Sequence, residues 1–215
     1  MQANGTAVLF SKQNLNFVLY APASITGSSF SALQIEAFGL DGTTVGGAAG
    51  GTENGTLSGS ATTSTGLTGT TTTLKGTITG NAGDIVNFTA ASSGSDWTRA
   101  SSVATVVGSY TGAFLVNKVT YTPALTIASN GTITGTDTTT AICTYSGNVS
   151  TPDTAHNNYN LTLTSTCFPG QTFSGIGAFF PAGLSNPNGV LSKAELKVGL
   201  TDGSSTGIYL NLTAN

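Results

Sequence analysis

Charge is scarce in this chain. Six basic and nine acidic residues are spread over 215 positions, 7% of the total, where an ordinary soluble protein carries about a quarter. The cations, Lys12, Lys75, Arg99, Lys118, Lys193 and Lys197, are too few and too scattered to track a phosphate backbone, which excludes nucleic acid as a partner. An anionic membrane surface is excluded on the same ground. Histidine occurs once, at His156, and cysteine twice, at Cys143 and Cys167. A structural zinc site therefore lacks ligands, and neither a metal nor any other cofactor is expected. No apolar run approaches the roughly 20 residues of a membrane helix, so no transmembrane segment is expected. The opening MQANGTAVLF has neither a basic stretch nor a long apolar block, and reads as a start without a visible leader.

What is abundant is threonine, serine and glycine, with 29 glycines and a hydrophobic content of 38%. Disorder usually combines low hydrophobicity with high net charge, and the net charge here is only −3. Threonine is β-branched and suits a pleated, half-wet strand, where it replaces Lys and Glu on the solvent side. The fold class read from this is all-β, in two tandem antiparallel domains of sandwich or small-barrel type. Short alternating or apolar runs support it at Thr6–Phe10, Asn16–Tyr20, Ala32–Phe38, Ile85–Thr89, Val103–Val107, Ala124–Ala128 and Tyr159–Thr164. Turn signals separate them at Asp41-Gly42, Asn54-Gly55, Asn130-Gly131 and Asn188-Gly189. Near the end, Leu196, Val198 and Leu200 alternate, Asp202-Gly203 turns, and Ile208, Leu210 and Leu212 alternate back, which predicts a hairpin.

The pentapeptide GTITG occurs at Gly76–Gly80 and again at Gly131–Gly135, with a near copy GTLSG at Gly55–Gly59. Both halves then run through similar elements in the same order, with longer insertions in the second. Duplication and a shared low-complexity composition both account for this, while the lack of a fixed period argues against a solenoid. The boundary is placed in SSGSDWTRASS (Ser92–Ser102). This gives an N-terminal β domain at 1–95, a linker at 96–105 and a C-terminal β domain at 106–215. Cys143 and Cys167 lie in two strand-like segments flanking one long loop and are read as a disulfide, two core thiols being the alternative. Closing about 25 residues this way stabilises by roughly 3 kcal/mol and implies an oxidising, extracytoplasmic compartment.

The segments GSYTG (Gly108–Gly112), LTIASNGTITGTD (Leu125–Asp137), CTYSG (Cys143–Gly147) and YNLTLTSTC (Tyr159–Cys167) resemble a pattern found in secreted or lipid-anchored surface proteins of Gram-negative bacteria. The resemblance implies a small disulfide-linked β domain on an exported, antigen-like protein, at the cell surface or outer membrane. It brings no catalytic residues.

Chemistry finds little to stand on. Ser150, Asp153 and His156 invite comparison with a hydrolase triad, but a triad needs groups converging from a fixed scaffold, and they read instead as a polar loop with one exposed histidine. The acidic residues mostly sit beside Gly or Thr, where Asp bonds its own turn; Asp137 is the most plausible to meet a metal. No catalytic residue is assigned. A contact patch is sought in Trp97, Phe179 and Phe180, for two adjacent rings on a strand cannot both face inward. Lys193, Glu195 and Lys197 share one strand face, a solvated face or a guarded edge. The leading functional expectation is a monomeric, non-enzymatic surface or secreted module that binds a host protein or glycan. A pilin-like fibre subunit is the alternative, with Asn16–Tyr20 completing a neighbour's sheet. A glycan hydrolase using two acids comes third, and an outer-membrane barrel fourth.

Overall fold

The computed structural model describes residues 6–10, 17–22, 24–39, 44–45, 48–49, 52–66, 69–92, 98–116, 119–137, 142–186, 189–203 and 206–215. At 6–10, 17–22, 37–39, 44–45, 48–49, 52, 66, 69–70, 91–92, 115 and 186 it describes the backbone path alone. The chain is all-β and divides into two compact units, Met1–Arg99 and Ala100–Asn215.

The first unit is an open antiparallel sheet. Its strands are β1 (Thr6–Phe10), β2 (Phe17–Pro22), β3 (Ser24–Thr26), β4 (Ser29–Gly39), β7 (Thr52–Gly66), β8 (Gly69–Gly80) and β9 (Ile85–Ser92), with a two-residue ribbon of β5 (Thr44–Val45) and β6 (Ala48–Ala49) apart from it. The order is β1-β2-β4-β7-β8-β9, and β3 pairs with β4 beside β2. Neither a sandwich nor a closed barrel is formed by the described residues of this unit. The segment expected as a free donor strand is an inner strand here, since β2 has β1 on one edge and β4 on the other.

The repeated pentapeptides face each other across the β7–β8 hairpin. Gly55 pairs with Gly80, Leu57 with Ile78 and Gly59 with Gly76. Leu57 and Ile78 are buried together with Phe30, Ala32 and Ile35. The rung through Gly59 and Gly76 ends in Phe30 on β4 and Phe88 on β9. A Cβ on Gly59 would stand 2.3 Å from the Phe30 ring, and one on Gly76 2.7 Å from the Phe88 ring. The glycines thus clear the sheet for two rings that lie over them, with centroids 6.2 Å apart.

The second unit is a closed barrel. A single 3-10 turn, Val103–Val106, precedes β10 (Gly108–Val116), β11 (Val119–Tyr121), β12 (Ala124–Ile127), β13 (Thr132–Asp137), β14 (Cys143–Ser150), β15 (Tyr159–Ser165) and β16 (Thr172–Phe180). A ribbon of β17 (Ser185–Asn186) and β18 (Gly189–Val190) follows, then β19 (Glu195–Thr201) and β20 (Gly207–Ala214). Each strand pairs with the next, and β20 returns to β10 to close the ring. Both β11 and β12 pair with β10; they are one strand broken at Thr122-Pro123, where proline has no N–H to offer. The predicted hairpin is the β19–β20 pair, running from Glu195↔Thr213 to Thr201↔Gly207. The expected strand at Val103–Val107 is instead the 3-10 turn. Its Val106 is wholly buried, and its Val106 carbonyl accepts from the Tyr110 hydroxyl at 3.0 Å. Burial of Val106 there overrides the strand preference of three valines.

The third pentapeptide does other work. Gly131 turns at φ +86°, and Gly135 faces inward opposite Leu125. Similar wording therefore serves two different architectures, an open sheet and a closed barrel.

Cys143 and Cys167 are joined in a disulfide, with Cα atoms 5.4 Å apart. It ties the start of β14 to the chain just beyond β15, two positions past the Tyr145↔Ser165 pair. Replacing both by serine is expected to cost about 3 kcal/mol, read as a melting temperature lower by roughly 10–15 °C. Calorimetry of the double variant beside the oxidised parent checks this.

Candidate functional site

Strand alternation decides what each barrel residue can reach. Inward positions bury Leu125 and Ile127, Tyr145 and Val149, Leu161 and Leu163, Leu196, Val198 and Leu200, and Ile208, Leu210 and Leu212. Outward positions on β12 to β14 are exposed, among them Thr126, Thr132, Thr134, Thr144, Ser146 and Asn148. Cross-strand hydroxyls bond one another there, as between Ser146 and Thr164 at 2.8 Å. The lumen is thus a filled core, and the outside is hydroxyl-lined. An outer-membrane barrel reverses this, with an apolar band facing lipid.

One end of the barrel holds rings. Phe114 stacks on Tyr121 at 5.2 Å, Tyr121 meets Phe168 at 5.1 Å, and Phe168 meets the edge of Phe173 at 5.5 Å. Asp137 is buried beneath them, accepting from the backbone N–H and hydroxyl of Thr122 and from the Tyr145 hydroxyl at 3.4 Å. Burial and then the neighbouring Asp137 carboxylate push the Tyr145 phenol well above its ordinary range. Asp137 therefore caps a barrel end. Among the described residues no group of three His, Cys, Asp or Glu is placed to hold a metal.

The other end is closed by the loop between β14 and β15. Asn157 is buried, donates to the Phe179 carbonyl at 2.7 Å and accepts from the Phe179 N–H at 2.9 Å. Its amide acts as a partner strand for one residue of β16. Asn157→Ala leaves both Phe179 groups unpaired and is expected to cost about 2 kcal/mol, measured by urea unfolding against the parent.

Asp153 and His156 do meet, with Oδ2 and Nδ1 2.5 Å apart. The histidine bond, and next the Ala155 N–H, hold the Asp153 carboxyl below its usual range. The hydroxyl bonded here is that of Ser101, which donates to the Asp153 main-chain carbonyl at 2.9 Å. Ser150 lies outward at the end of β14, paired with Asn160. These bonds tie down a loop. A Gly-x-Ser-x-Gly pattern does occur at Gly203–Gly207, but it joins two antiparallel strands, not the strand and helix of a nucleophile elbow. Ser204 and Ser205 themselves lie outside the described residues.

The acids are spent singly. Glu53 accepts from the Ala82 N–H at 2.8 Å, Asp202 from the Thr206 N–H at 2.9 Å, and Glu195 stands against Lys197. Asp41, Asp96 and Trp97 lie outside the described residues. Phe179 is not surface: alternation turns it into the barrel core, so it leaves the expected contact patch. Phe180 points outward, half-buried, under the Lys197 ammonium 5.2 Å from its ring centre.

The first unit offers an open sheet face. Its outer face carries the rung Ser31, Ser58, Thr77 and Asn87, with Thr77 donating to Asn87 at 2.8 Å. Beside it lies the rung Thr56, Thr79 and Ile85, with Leu33 displaced outward at a break in register between Ala32 and Ile35. Leu33 is 90% exposed and Ile85 65%. Sequence reasoning missed this face because Leu33 scans as a core residue until the bulge turns it over. Compared with known proteins, the chain matches no family model and no curated protein.

Proposed function

We propose that this is a non-enzymatic, extracytoplasmic module of the bacterial-surface kind, in which the outer face of the open sheet meets a host protein or glycan. The observation that carries the reading is the filled lumen: with a core where a ligand would sit, recognition falls to outer surfaces. The open sheet offers hydroxyls and an amide for polar contacts, two exposed aliphatic side chains, and Lys75 as a cation among them. A disulfide in the second unit suits an oxidising compartment. No helix among the described residues is long and apolar enough to cross a membrane.

The test is a screen of the purified chain against glycans and matrix proteins, repeated with Ser58→Arg and Thr77→Arg. Binding that falls at least tenfold in these variants supports the face; binding that ignores them, or no binding at all, overturns it. A second reading, assembly into fibres, draws on β9. Its outer edge has no partner among the described residues, and IVNFTAAS carries no charge, proline or bulge to guard it. Size-exclusion chromatography separates the readings, since a concentration-independent monomer removes the fibre.

A further inference from the structure

Across most of the barrel exterior outward side chains are open to water, but on the latter half of β16 and on β19 and β20 they are shielded. Ile176, Ala178 and Phe180, then Glu195 and Lys197, then Tyr209, Asn211 and Thr213 are all shielded to an intermediate degree. Three of these groups form an unusual set. Lys197 and Asn211 stand directly opposite each other on paired strands, a relation that brings Cβ atoms to about 5 Å. Glu195, two residues along the same face, places Oε2 2.9 Å from the Lys197 Nζ. Glu195 Oε2 and Asn211 Oδ1 are both buried without a hydrogen-bond partner. The Phe180 ring covers the ammonium on one side. Shielding a charge pair and a carboxamide together, with their hydrogen bonds incomplete, is unfavourable. An amide bond between Lys197 and Asn211 would remove the ammonium charge and leave one amide N–H for the Glu195 carboxylate to accept from.

We propose that Lys197 and Asn211 join in an intramolecular isopeptide bond, with Glu195 as the proton carrier. The ammonium gives one proton to Glu195 across the ion pair, leaving a neutral amine and a carboxylic acid. The amine lone pair attacks Asn211 Cγ, whose oxygen takes the negative charge while the Glu195 acid donates a hydrogen bond to the tetrahedral intermediate. The Nζ–Cγ bond forms and the Cγ–Nδ2 bond breaks as the oxygen's charge returns to the carbonyl. The departing nitrogen takes the Glu195 proton, the attacking nitrogen gives its surplus proton back to Glu195, and ammonia leaves. A further proton passes from the Glu195 acid to the ammonia, giving ammonium and restoring the carboxylate. No oxidant, metal or second substrate is consumed. Shielding by Phe180 and its neighbours keeps water from competing and strengthens each electrostatic step. The product ties β19 to β20 covalently on the strand that closes the barrel onto β10.

The experiment is intact-mass measurement of the full chain after disulfide reduction, followed by a tryptic map. The expected result is a mass lower than the sequence mass by one ammonia, no tryptic cleavage at Lys197 and, after a further enzymatic cut before Asp202, a branched peptide joining Ala194–Thr201 to Asp202–Asn215. Lys197→Arg, Asn211→Ala and Glu195→Gln should each show the full sequence mass. Circular dichroism and an intact disulfide confirm that these variants still fold. A parent chain of full mass, with Lys197 and Asn211 in separate peptides, overturns the proposal. So does an ammonia loss that maps to cyclised Gln2 or to a succinimide, or a branched peptide that survives in Glu195→Gln at the parent's yield.

Discussion

Gly175→Val should prevent the barrel from closing. Gly175 lies on the inner side of β16, and a Cβ there would stand 1.8 Å from the Gly199 carbonyl oxygen, 2.8 Å from its carbon and 3.0 Å from the Leu200 Cα. All three are main-chain atoms of β19, so no rotamer change relieves the contact. Relief requires β16 to leave β19, breaking a ladder that runs from Ser174↔Thr201 to Phe180↔Glu195. Gly147 is in the same position on β14, with a would-be Cβ 2.1 Å from the Thr162 oxygen. A small barrel has to bend its strands sharply, and inward glycines permit the bend. The expected loss is about 4 kcal/mol or more, while exposed Ser174→Ala next door stays within about 0.5 kcal/mol. Urea unfolding of both variants, with disulfide formation as a second readout, checks the contrast. A Gly175→Val chain as stable as the parent would mean that β16 and β19 are not packed as described.

Alkali should unfold the second unit steeply above pH 10. Burial raises the phenols of Tyr145, Tyr110 and Tyr209 above their ordinary value of 10.0, with Asp137, Tyr159 and Glu195 adding to it respectively. An unfolded tyrosine loses its proton near 10, while these three keep theirs in the fold. The unfolded state then binds fewer protons, and stability falls as pH rises. The contribution is fully present below pH 10 and is lost from there toward the folded values. Each tyrosine steepens the fall by about 1.4 kcal/mol per pH unit, roughly 4 for the three while all remain protonated in the fold. Ionising Tyr145 would set a phenolate against buried Asp137, and ionising Tyr110 would remove its bond to the Val106 carbonyl. Phenolate absorbance at these residues should therefore appear together with the loss of the β-sheet dichroism signal. Tyr145→Phe should flatten the slope by about a third. A gradual phenolate titration near pH 10 with the fold intact would count against the prediction.

Much of this fold was legible because its signals are local. Threonine between apolar residues marks the strands, and Leu196, Val198 and Leu200 announced β19 with its turn at Asp202-Gly203. Cys143 and Cys167 could be paired because the strands carrying them are joined by one loop. Where reading failed, a distant partner decided. Val103–Val106 has strand-like residues but is wound into a turn, with Val106 buried beside Tyr110. Phe179 and Phe180 could not be divided into core and surface until the register with Leu196 and Glu195 was set. Gly59 and Gly76 looked like repeat punctuation, whereas they make room for Phe30 and Phe88, residues from strands on either side of the hairpin.

By itself the order of residues determined that this chain forms strands with hydroxyls outward, in two units, one of them disulfide-linked. Those properties follow from side-chain shape and from periodicity over a few residues. Tertiary structure alone decided that one unit stays open and the other closes. Closure depends on β10 meeting β20, as in the pairing of Thr111 with Thr213, a contact between segments far apart that no local pattern encodes. The β19–β20 hairpin sets Lys197 against Asn211, but Phe180 comes to cover the ammonium only through the pairing of β16 with β19, so the chemistry proposed there also belongs to the fold.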